Sequence, residues 1–67
     1  LKAPMPGTVV RVEASEGAAV QEGDTLIVIE SMKMENAVRA TKTGTVSEML
    51  AKKGDYLRTG QAVAKLG

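Results

Sequence analysis

Gly7-Thr8-Val9 returns as Gly44-Thr45-Val46, and this recurrence governs how the rest of the chain is read. At the same offset of 37 residues Gly17 matches Gly54 and Gly23 matches Gly60. The apolar positions keep step: Val12 with Met49, Val20 with Leu57, Leu26 with Val63 and Ile29 with Leu66. Ala3 also matches Ala40, and Ala14 matches Ala51. Chance rarely preserves three glycines at one offset together with the apolar residues between them. The chain therefore reads as one small domain over residues 1–67, made by doubling, with a first half of about 1–30 and a second of about 35–67.

Each half is rich in β-branched residues and punctuated by glycine, which predicts four short strands per half. They are expected at 2–5, 8–14, 18–20 and 25–30, then at 35–40, 44–51, 55–57 and 62–66. Glu16-Gly17, Glu22-Gly23-Asp24 and Lys53-Gly54-Asp55 read as turns in which glycine supplies a positive φ. Ser47 to Lys53, the best helix candidate, is too short, and its counterpart Val10 to Glu16 is rich in valine. Leu26 to Ile29 shows no alternation, as in a strand covered on both sides, so the strand faces stay unassigned. The expected fold is all-β: a sandwich or flattened barrel with approximate twofold symmetry. Pro4 and Pro6 stiffen the first strand and block edge pairing.

At 67 residues the chain buries about 60% of its unfolded surface, which leaves little room for an internal pocket. Tyr56 is its one aromatic residue and reads as surface packing; Lys52-Lys53 reads as a solvated pair. The formal net charge is +1 with acids and bases interspersed, so neither nucleic acid nor a membrane surface is expected as a partner. Cysteine and histidine are absent, which removes disulfides, thiolate chemistry and the commonest general base. The longest aliphatic run, Leu26 to Ile29, is far short of the roughly 20 residues of a membrane span. A start at Leu1 rather than methionine suggests a segment of a longer protein.

Symmetry directs attention to the link between the halves, Ser31-Met32-Lys33-Met34. Shifting Lys33 by the repeat offset lands beyond either chain end, so this link is expected at one pole and both termini at the other. Two-residue hairpin turns favour Asn-Gly or Asp-Gly because both positions need positive φ. Met32 and Lys33 gain nothing there, so another demand overrides local preference. Closing that turn also sets Glu30 opposite Glu35, a mildly unfavourable pair. It leaves Met32 and Met34 on an exposed tip, where their deformable side chains suit an adaptable contact. Lys33 offers a primary amine on a flexible stem, the group that forms an amide with a carboxylic acid.

Glu30-Ser31-Met32-Lys33-Met34-Glu35-Asn36 resembles the attachment motif of biotin carboxyl carrier domains, usually Ala-Met-Lys-Met, with Ser31 in place of the alanine. Ala3-Pro4-Met5-Pro6-Gly7-Thr8 resembles their opening segment, and Glu22-Gly23-Asp24 and Gly44-Thr45-Val46 match further landmarks, so the likeness covers nearly the whole chain. The resemblance implies a barrel-sandwich hybrid of two four-stranded antiparallel sheets, with biotin bound covalently to Lys33. It implies recognition of Met32, Met34, Glu30 and Glu35 by a biotin protein ligase (holocarboxylase synthetase). It also implies a non-catalytic carrier role. A biotin carboxylase would load the ureido nitrogen with a carboxyl group, and a carboxyltransferase or decarboxylase would unload it. The five residues between Gly17 and Gly23 leave no room for the thumb insertion of some bacterial carriers, so the chain is more similar to carriers of acyl-CoA or pyruvate carboxylases, or of biotin-dependent decarboxylases and transcarboxylases. The isolated domain is expected to be monomeric, and the parent cytoplasmic or, in a eukaryote, in the mitochondrial matrix.

Two other readings compete. A lipoyl carrier of a 2-oxoacid dehydrogenase complex shares barrel and hairpin lysine, but its lysine usually sits in Asp-Lys-Ala. An unmodified adaptor barrel would tolerate loss of the Lys33 amine. A free-standing enzyme lacks the residues to fill a catalytic site.

Overall fold

The computed structural model describes residues 1–67, and every regular element in it is a strand. Valine, isoleucine and threonine dominate β1 (Gly7–Val12) and β3 (Thr25–Ser31), where branched side chains pack well on a pleated surface. The others are β2 (Ala19–Val20), β4 (Met34–Arg39), β5 (Gly44–Met49), β6 (Tyr56–Leu57) and β7 (Ala64–Leu66). They form two antiparallel sheets in the orders β4-β3-β1-β6 and β2-β5-β7. Between the sheets lies a core of Val9, Leu26, Ile29, Val46, Leu57 and Val63 with smaller alanines.

Hydrogen bonds outside the ladders come in pairs separated by the 37-residue offset. Val9 N donates to Asp55 O and Val46 N to Ala18 O; Gly17 N donates to Val46 O and Gly54 N to Val9 O; Gly23 N donates to Ala40 O and Gly60 N to Ala3 O. Even a side-chain bond repeats: Asp24 Oδ2 accepts from Gln21 N at 2.8 Å and Gln61 Oε1 from Arg58 N at 3.0 Å. Each half thus satisfies part of its partner's backbone as well as its own, so neither half is a complete unit.

One expected strand is shorter than the sequence suggested. Residues 2–5 contribute a single bridge, Lys2 to Ala62, so the second sheet has three regular strands instead of four. Its fourth position is nonetheless held by the first three residues: the Leu1 ammonium and Ala3 N donate to Ala64 O and Gln61 O. Pro4 has no N–H to extend the ladder, and Pro6 repeats the break.

The uniform apolar run of β3 is buried on both faces, Val28 included, and a bulge adds to its inward side. A β-bulge between Thr25 and Ile27 sets both Leu26 and Ile27 against Val38, so two successive side chains enter the core. Val28 then turns outward and Ile29 inward. The second half repeats the device, with Val63 and Ala64 both buried.

The registers also set the poles. The β3–β4 hairpin runs from its base at Thr25 and Arg39 to its tip beyond Ser31 and Met34. The chain passes from that base through Ala40 to Gly44, away from the tip, and Thr45 exchanges backbone bonds with Gly67 there. Lys33 and the C-terminus therefore lie at opposite ends of a body whose Cα extents are 31 × 18 × 18 Å.

Candidate functional site

The tip is a two-residue turn. Ser31 pairs with Met34 and Glu30 with Glu35, leaving Met32 and Lys33 as the corner. Their φ values are 53° and 68°, the only positive values outside glycine. Both residues thus occupy the left-handed region that the right-handed twist of a tight hairpin demands, at about 1–2 kcal/mol each for ordinary side chains. The base holds them there. Ile29, Ile27 and Val38 are buried below the turn, so the hairpin is a stiff post with an unprotected end.

Met32 is 93% exposed and Met34 66%, which excludes a core-filling role for either. Lys33 is exposed, and its amine makes no hydrogen bond or ion pair. Glu30 and Glu35 are exposed and face one another across the ladder with no cation in contact. Thr8, which sequence reading did not single out, lies beside Glu30 by register. Asn36 Nδ2 donates to Met34 O at 3.5 Å, a second neighbour that emerges only once the hairpin closes.

No concavity opens at the tip. The chain's one groove, about 580 Å³ and shallow, lies at the waist between Val12, Ala14, Met49 and Ala51, residues paired by the repeat. No three carboxylates converge. The arrangement suits display of an amine: an unpartnered lysine side chain in open solvent on a rigid support, which fits a cofactor joined through a carboxyl group.

Residues 1–66 match the family described as biotin-requiring enzyme. The chain belongs to that family. Membership makes biotin the cofactor and the chain a biotin carrier domain. The biotinyl domain is 46% identical over 66 residues to human mitochondrial propionyl-CoA carboxylase alpha chain, a match covering 98% of this chain and 9% of the relative. Its fold superposes on the Kluyveromyces lactis urea carboxylase with a TM-score of 0.93 and 39% identity, covering 100% of this chain and 6% of that one. The lipoyl domain of the Azotobacter vinelandii 2-oxoglutarate dehydrogenase complex is more distant, with a TM-score of 0.82 and 29% identity, covering 100% of this chain and 92% of that one. The barrel is thus common to both cofactors, while the family match and the higher identity favour biotin.

Proposed function

We propose that Lys33 is the biotin attachment residue and that the domain carries a carboxyl group between two active sites of a larger enzyme. The observation that carries this reading is the unpartnered Lys33 amine, held by a positive-φ turn at the pole opposite the C-terminus. Bound biotin supplies a ureido nitrogen that accepts and releases a carboxyl group. The chain's own residues position it: the β3–β4 hairpin fixes the root of the arm, and the exposed tip lets it swing.

Attachment requires a ligase. The Lys33 ammonium gives up one proton, the neutral nitrogen attacks the activated carboxyl carbon, a C–N bond forms as the leaving group departs, and a second proton is lost. The product is a neutral amide, which takes the formal net charge from +1 to 0. Met32 and Met34 supply an adaptable apolar surface for that ligase, and Glu30 and Glu35 a negative one. The parent is a biotin-dependent carboxylase of the acyl-CoA or pyruvate type, with a biotin carboxylase and a carboxyltransferase or decarboxylase as partners. Similarity to propionyl-CoA carboxylase alpha chain supports that class.

The test is the intact mass of the full-length protein purified from its own cells. A gain of about 226 Da localised to Lys33 is expected, against about 188 Da for lipoyl attachment. Lys33→Arg should abolish both the gain and the parent's activity while leaving the fold unchanged. Activity without an adduct would support the adaptor reading and overturn this one.

A further inference from the structure

The chain contains four methionines and no cysteine, so the methionine thioethers are its only sulfur open to oxidation. The fold divides them into two pairs. Met5 is half-buried, and Met49 is half-buried against the core beside the waist groove. Met32 and Met34 stand in solvent at the tip, one on each side of Lys33. From Glu30 to Ala37 the hairpin holds no buried residue, so nothing shields either sulfur from a water-borne oxidant. Neither sulfur fills the core cluster, so packing does not call for it.

We propose that Met32 and Met34 form a reversible oxidation site that gates attachment at Lys33, with a hydroperoxide as the oxidant. The proposal rests on the attachment reading above and adds to it a second chemical state of the tip.

With hydrogen peroxide the sulfur lone pair attacks one peroxide oxygen. An S–O bond forms as the O–O bond breaks, and the proton of the transferred hydroxyl passes to the departing hydroxide, which leaves as water. Sulfur gives up two electrons, and the peroxide takes them. A dithiol reductase runs the return step: its two thiols become a disulfide, and the sulfoxide oxygen leaves as water.

Oxidation turns a flexible apolar side chain into a polar one without changing the formal charge. At the tip the fold is indifferent to that change, because the hairpin is held by Ile27, Ile29 and Val38 below it. The contact surface beside the amine is not indifferent. A partner shaped to two thioethers must desolvate a sulfoxide oxygen that it has no donor to satisfy. The oxidised tip is therefore a poor substrate for acylation, although the amine and the turn stay as they were. Met49 has the opposite signature: an oxygen there adds polarity against the core and loosens the fold.

The experiment treats the full-length apo-protein with hydrogen peroxide. Peptide masses locate each added oxygen, and a purified biotin protein ligase reports biotin transfer to Lys33. Met32 and Met34 should gain oxygen several-fold faster than Met5 and Met49. Once both are converted, kcat/KM for transfer should fall about five-fold or more, the scale of spoiling one contact that matters in an interface. Methionine sulfoxide reductases of both epimer specificities, supplied with a dithiol, should restore it. Met32→Leu with Met34→Leu keeps apolar bulk and lacks the sulfur, so peroxide should leave this variant at its own untreated rate. Equal oxidation of all four methionines, conversion of the tip without loss of transfer, or the same loss in the leucine variant would overturn the oxidation gate and leave Lys33 attachment standing. Failure of the ligase to label Lys33 in the untreated native protein would overturn the attachment reading itself.

Discussion

The two halves of this chain share their inside and differ in their outside. Val9 and Val46, Leu26 and Val63, and Val20 and Leu57 are buried at equivalent places, and Gly17 and Gly54 turn the backbone with φ of 84° and 94°. Outward, the β3–β4 hairpin at the junction of the halves displays an amine that the repeat does not duplicate. One outer face carries the Glu30 and Glu35 carboxylates without an ion pair; on the other Lys65 pairs with Glu48. The doubled part is what folding requires, and the undoubled part is where function has room to act.

If the halves are one cooperative unit, damage at either member of a core pair must unfold both. Leu26→Ala should cost about 2–5 kcal/mol, enough to leave so small a domain largely unfolded. Val63→Ala, which deletes one carbon fewer at the matching site, should cost somewhat less by the same two-state transition. Urea denaturation followed by two probes checks this, and separate transitions for the two halves would break the equivalence.

Gly7 and Gly44 sharpen the comparison. A Cβ on Gly7 would meet the Ile29 side chain and sit 2.6 Å from Glu30 O, within the rigid hairpin strand. A Cβ on Gly44 would meet one close atom only, Gly67 O at 2.6 Å. Gly7→Ala should therefore lose about 1–3 kcal/mol and Gly44→Ala clearly less, read as a difference in denaturation midpoint.

At the tip the expected sign reverses. Met32→Asn places a residue suited to positive φ in the turn and should gain up to about 1 kcal/mol of stability. It should also slow biotin transfer to Lys33, since the exposed thioether is lost. A substitution that stabilised the fold and left transfer intact would show that Met32 is not held there for recognition. The smallest effect belongs to Glu35→Gln: removing one of two opposed carboxylates should raise stability by about 0.2–1 kcal/mol, with the gain shrinking in salt.

The repeat, the all-β class and the exposed lysine turn were legible in the primary structure because each leaves a local mark. Glycines mark positive φ, β-branched residues mark strands, and Met32-Lys33 violates the usual turn chemistry. The run Leu26 to Ile29 was not legible in the same way. Its cover on both faces showed in the missing alternation, but the bulge that sends Leu26 and Ile27 to one face exists only relative to the partner strand. The early end of the N-terminal ladder at Pro4 was foreshadowed by the missing N–H, yet its length depended on where Gln61 and Ala64 arrived.

Amino-acid order alone determined that the chain is doubled, that its strands are short and that one amine sits at the unmatched junction, since these depend on near neighbours and composition. Only the tertiary structure decided which residues share an outer face. Tyr56, Thr8, Glu30 and Glu35 come from four strands and meet through registers set by packing across the sandwich. The turn alone sets Glu30 against Glu35, but position along the chain carries no trace of the Tyr56 and Thr8 members of that row, because a shift of one residue in either ladder would turn them inward.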